Sequence, residues 1–179
     1  MNAVVNHSIT GLRRIILVSS VIAAVITVGL LGSQLEELAA AAARARPPHW
    51  PDLALFFSQP VVVQVHVMVA LAAVGLGAAM MLSLKGRRFH RIAGWAWSGL
   101  MMSVALSSLF IHERNGGASF LHLFAAWVLV FLPLAVWFAR RHQVPWHRAL
   151  MMVLFYGSLL ISGALAFLPG RLMWRLFFG

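Results

Sequence analysis

The sequence contains no cysteine among its 179 residues. That absence removes disulfide exchange, thiolate zinc centres, iron–sulfur clusters and covalent haem attachment through a CxxCH motif, all of which need a thiol. A metal held by this chain rests on histidine, of which there are eight. Acidic residues are almost as scarce. Glu36, Glu37, Asp52 and Glu113 are the only four against 14 Lys and Arg, and none lies in the middle of an apolar run. Cation pumps and transporters ordinarily need a carboxylate within the membrane, so a small-molecule carrier is disfavoured.

What fills the chain is apolar: 61% of residues are hydrophobic and only 10% charged, against about half and about a quarter in a soluble domain. The apolar residues come in uncharged runs of membrane-spanning length. The net charge of +10 is distributed at the flanks of these runs instead of along one stripe, which reads as membrane anchoring and argues against nucleic acid as a partner. The fold class expected is all-α: an integral membrane bundle of five transmembrane helices, the last four arranged as two repeated helical hairpins.

The first span is expected from Ile15 to about Gly32, longer than a signal-peptide core and therefore retained. Ser33 and Glu36 have capping-box spacing, so Ser33 to Arg46 reads as a separate interfacial amphipathic helix stopped by Pro47 and Pro48. These elements and the following loop make an N-terminal region, 1–59, ahead of a four-helix core with an interfacial tail, 60–179. In the core the second span runs from Pro60 to Leu84 and the third from Phe89 to Ile111. The fourth, capped by Ser119 and kinked at Pro133, reaches Ala139, and the fifth ends before Pro169. One side then carries Arg13, Arg14, Lys85, Arg87, Arg88, Arg91, Arg140, Arg141 and Arg148, the other Arg44, Arg46, Arg114, Arg171 and Arg175. The richer side is expected to be cytoplasmic, which makes a multi-pass chain with its N-terminus inside; the location expected is a bacterial inner membrane.

Laying spans two and three over four and five reveals a repeat. His66 precedes a basic turn and then His90-Arg91, and His122 precedes the other basic turn and then His147-Arg148, at separations of 24 and 25 residues. The hairpins are parallel repeats about an axis along the membrane normal, with His66 and His122 near one surface and His90 and His147 near the other. Helical spacing puts His66 on a stripe with Ala70, Ala73 and Gly77, small enough to admit a flat macrocycle or a neighbouring helix. Two neutral imidazoles on facing helices are the usual axial ligands of a low-spin haem b. The metal-ligand candidates are accordingly His66 with His122 and His90 with His147, holding one or two haems b, with Arg91, Arg148 and Lys85 neutralising the propionates of the inner one. The same spacing fits interfacial His and Arg that cap helix ends and meet lipid headgroups.

Other residues give less. His112, Glu113 and Arg114 suit proton uptake during oxidation of a quinol or another small reductant, and equally suit a polar loop. A zinc site at His142 and His147 is poor, because five residues on a helix turn two side chains about 140° apart. The methionine pairs read as core. Trp50, Trp95, Trp137, Trp146 and Trp174 read as an interfacial belt.

The ordered set Lys85, Phe89-His90-Arg91-Ile92-Ala93-Gly94-Trp95, Met101, Ser107-Ser108-Leu109-Phe110-Ile111-His112, His122, Arg140-Arg141, His147-Arg148, Met151 and Pro169-Gly170-Arg171 resembles a bacterial membrane family catalogued as domain of unknown function 2306, over about residues 60–179. That family implies no activity. One His on each of four consecutive helices, first and third on one face and second and fourth on the other, is similar to the di-haem core of cytochrome b561. This resemblance implies transmembrane electron transfer, with His66 and His122 on one haem and His90 and His147 on the other. The rival expectation is a haem-free subunit that stabilises or assembles a larger membrane complex or homo-oligomer.

Overall fold

The computed structural model describes Gly32, residues 35–111 and residues 121–179. The expected first span apart from its last residue, Gly32, and Ser33, Ser119 and the 112–114 loop lie outside these described residues. Every regular element among the described residues is helical. We number them α1 (Leu35–Ala43), α2 (Leu53–Phe57), α3 (Val61–Leu82), α4 (Arg88–Ser108), α5 (Leu121–Arg140), α6 (Val144–Leu165) and α7 (Leu172–Phe178). Within α6, Val153–Leu160 is wound as a π-helix, which no periodicity in the sequence announces.

The chain divides into two compact units, Met1–Ala45 and Arg46–Gly179. In the first, α1 ends at Ala43, short of Pro47 and Pro48. The second begins earlier than the expected core boundary at residue 60. The reason is a set of backbone hydrogen bonds: the N–H groups of Arg46, His49 and Asp52 donate to the carbonyls of Phe178, Phe177 and Leu176 at 3.1, 3.1 and 3.0 Å. These carbonyls are the ones a helix C-terminus leaves without intrahelical donors. The segment before α2 therefore belongs with the tail helix α7. Asp52 also caps α2, its carboxylate accepting from Leu55 N–H at 2.9 Å.

In the larger unit α3 packs on α4, α4 on α5 and α5 on α6, and the π-helical part of α6 returns to α3 and closes the ring of four. Small residues on α3 allow the close approach. Ala73 and Gly77 are its buried residues, and the indole N–H of Trp97 on α4 donates to the Ala73 carbonyl at 3.0 Å. A Cβ built on Gly77 would lie 2.7 Å from Phe155 Cδ2 and 2.8 Å from Trp97 Nε1, so two rings occupy the space that a side chain there would need. The expected small-residue stripe thus serves neighbouring helices at Ala73 and Gly77. Met101, Leu132, Leu150 and Leu154, from α4, α5 and α6, are fully buried.

Among the described residues three helices are long and apolar enough to cross a membrane: Val61–Leu82, His122–Arg140 and Val144–Leu165. Only 11% of the most apolar part of Val61–Leu82 is buried by the rest of the protein. An exposed apolar surface of that extent needs lipid or another apolar partner to cover it. The protein is read as a membrane protein on this ground. α4 has the length, 21 residues, but not the apolarity, because it begins Arg88-Phe89-His90-Arg91 and carries four serines.

Candidate functional site

His66 is the sixth residue of α3, and the ladder of α4 brings Ser107 opposite it. His66 Nδ1 lies 2.8 Å from Ser107 Oγ. The serine hydroxyl has one proton, and its oxygen lies 2.7 Å from the Ser103 carbonyl and 3.1 Å from that of Val104, both of which can only accept. With the Ser107 proton directed to these carbonyls, the remaining bond runs from His66 Nδ1–H to Ser107 Oγ. Nε2 of His66 then keeps its lone pair, the arrangement of an imidazole ready to bind a metal with its other nitrogen held by a second partner.

His122, the second residue of α5, borders the same cavity as His66. This cavity measures about 300 Å³ and is walled largely by aliphatic side chains, among them Ala70, Val104 and Val128. That volume stands at the lower end of the range for small-molecule sites, about 300–1,000 Å³. Both histidines are half-buried. Ala70, from the same stripe as Ala73 and Gly77, faces the cavity instead of a helix. Ser158 and Ser162 come to its wall from the π-helical segment and the turn beyond, and the Ser162 hydroxyl donates back to the Ser158 carbonyl. π-helical turns recur at functional sites, where they re-aim side chains that a regular helix would stagger differently.

The other two histidines lie at the opposite, basic end of the bundle. His147, in the first turn of α6, has Nδ1 2.9 Å from the Ala135 carbonyl of α5. A carbonyl cannot donate, so Nδ1 carries the proton and Nε2 is again the free nitrogen. His90 lies within electrostatic reach of His147 and of Lys85. Its own Nδ1 is buried without a hydrogen-bond partner. Arg91 and Arg148 are exposed, and the Lys85 ammonium donates to the Met81 carbonyl at 2.5 Å, closing the end of α3. No cluster of three or more His, Asp or Glu suited to a metal occurs among the described residues.

Sequence reasoning missed Ser107, Ser158, Ser162 and Arg171 as neighbours of the candidate ligands. A usable signal existed for Ser107, since Ser103 and Ser107 stand four apart on one side of α4. Trp97, set apart from the belt tryptophans by burial to 3% exposure, also gave no sign in the sequence of its central place. No family model, curated protein or solved structure matches the chain.

Proposed function

We propose that this protein is a b-type cytochrome-like carrier of electrons across a bacterial inner membrane, with five spans and its N-terminus on the cytoplasmic side. The observation that carries this reading is the convergence of His66 and His122 on one apolar cavity, with Nδ1 of His66 engaged by Ser107 Oγ at 2.8 Å. The donor chemistry of the wall, two imidazoles among aliphatic side chains, is of the kind that holds a haem. When bound, that group supplies a reversible one-electron couple, tuned by ligand basicity and burial.

The chain's own contributions follow from the geometry. Ser107 orients the His66 ring and, by accepting from Nδ1, makes Nε2 a stronger donor. The aliphatic wall lowers the dielectric constant around the site. His90 and His147, flanked by Arg91, Arg148 and Lys85, are the ligand set for a second haem. Between the two pairs it is His66 with His122 that we rank first, since the His90 Nδ1 has no group fixing its tautomer. The similarity in histidine order to the cytochrome b561 core supports the same pairing. A quinol or another small reductant at the His66 end is the electron donor class we propose.

The decisive experiment is an absorption spectrum of the detergent-purified protein, oxidised and then reduced with dithionite, with a pyridine haemochrome count. We expect a sharp reduced α band and one or two haems b per chain, lost from one site in both His66→Ala and His122→Ala. A protein that stays colourless after haem supplementation overturns the assignment. One observation favours a second reading: the exposed apolar face of α3 would fit a partner helix as well as it fits lipid. A haem-free subunit of a larger membrane complex would copurify with a fixed partner in mild detergent.

A further inference from the structure

The cavity shared by His66 and His122 has one permanently charged side chain among the described residues of its wall, Arg171. The rest of the wall is aliphatic or aromatic apart from the two imidazoles and a few serine hydroxyls. Arg171 is also firmly placed. Gly170, at φ +85°, turns the chain after α6. The Arg171 N–H then donates to the Leu168 carbonyl at 3.1 Å, and Arg171 becomes the N-terminal flanking residue of α7. That helix is pinned at its far end by the three N–H groups of Arg46, His49 and Asp52. Arg171 as a whole is half-buried and borders the cavity.

An anionic group brought into an apolar cavity carries a large desolvation cost unless a fixed cation meets it. A guanidinium presents a planar fork of donors that matches a carboxylate. We propose that Arg171 is the anion-recognition residue of this cavity: it receives a carboxylate of the bound ligand, and so sets which edge of that ligand points toward α7. The inference rests on the haem reading above, and the carboxylates concerned are then the propionates. Arg171 is thereby a positioning residue that selects the acid-bearing macrocycle over a neutral one of the same shape. Neither composition nor span counting assigns it this role, which arises because the turn at Gly170 folds the tail back over the cavity that the imidazoles line.

The test compares haemin with haemin dimethyl ester, identical in ring and iron but without the propionate charges. Each is titrated by absorbance into full-length apoprotein in detergent, in the wild type and in Arg171→Gln and Arg171→Lys. The wild type is expected to bind haemin about tenfold or more tightly than the ester, the scale of one charge-assisted hydrogen bond. Arg171→Gln should abolish the preference and Arg171→Lys should retain most of it, with the reduced bis-histidine spectrum unchanged in both. Equal wild-type affinity for the two, or a preference that survives in Arg171→Gln, overturns the proposal and leaves the haem site standing. Because equal wild-type affinities suffice to overturn it, the proposal stays falsifiable even if the glutamine variant does not fold. Failure of both macrocycles to bind the wild type removes the haem reading and this inference with it.

Discussion

At the scale of single residues, chemistry is decided by where one proton sits. Ser107 has two carbonyl acceptors for its hydroxyl, and when its proton goes to them it accepts from His66. Removing that acceptor frees the ring to turn and to change tautomer, while leaving Nε2 and the cavity wall in place. Loss of an outer partner of this kind typically costs about 10–100-fold in metal affinity. Ser107→Ala is accordingly expected to weaken haem binding by about that factor, read as the apparent Kd in an absorbance titration. Ser103→Ala is the control, because its hydroxyl donates only to the Gly99 carbonyl, 3.0 Å away on an exposed face. Equal affinities in the two variants would show that Ser107 does not orient the ligand. The four histidines were legible in the sequence because their spacing repeats along the chain. Ser107 and Arg171 were not, because each meets the cavity through contacts between helices or through a turn that no periodicity encodes.

At the scale of elements, the helices were legible wherever apolarity and punctuation agree. Pro60 was expected to open the second span, and it flanks α3 as its N-terminal cap. The basic turns at Lys85–Arg88 and Arg140–Pro145 separate helices as expected, with Gly86 at φ +79° in the first and His142 at φ 56° in the second. The π-helical segment and short α2 were not legible. Each follows from packing, the former from Phe155 seated against Gly77 and the latter from the segment tied to α7. The α3–α4–α6 junction yields a prediction with a sign. A helical Gly→Ala change ordinarily stabilises by roughly 0.5–1 kcal/mol, and Gly75, with nothing within 4 Å of an added Cβ, should follow that rule. Gly77→Ala should do the reverse. Two rings stand where the methyl would go, one of them pinned by the Trp97–Ala73 hydrogen bond, and overpacking of this kind costs about 1–3 kcal/mol. Reversible unfolding in mixed micelles should place the two variants on opposite sides of the wild type. Stabilisation by Gly77→Ala would mean that the junction is looser than described.

At the scale of the whole molecule, the open question is whether α4 crosses the bilayer. Its composition argues against a crossing and its hydrogen bonding argues for one. Ser98, Ser103, Ser107 and Ser108 all turn their hydroxyls onto carbonyls of the preceding turn, at 2.8, 3.0, 2.7 and 2.8 Å, so their polarity is satisfied within the helix and costs little in lipid. Ala93, Trp97, Met101 and Ala105 form its buried stripe, and its cations are confined to the first turn. A helix of 21 residues measures about 31 Å at the standard rise, enough for a hydrocarbon core of about 30 Å. The chain contains no cysteine, which makes single substitutions into clean topology probes. Ser58→Cys, Arg87→Cys and Gln143→Cys place a thiol at exposed positions before α3, between α3 and α4, and between α5 and α6. With a membrane-impermeant maleimide on intact spheroplasts, Ser58→Cys should label, whereas Arg87→Cys and Gln143→Cys should label only after permeabilisation. Arg87 and Gln143 share a side only if α4 and α5 both cross or neither does. α5 is apolar enough to cross by itself. Labelling of Gln143→Cys from outside while Arg87→Cys stays protected would leave α4 short of a crossing, separate the two basic turns across the membrane, and dissolve the repeat on which pairing His90 with His147 depends.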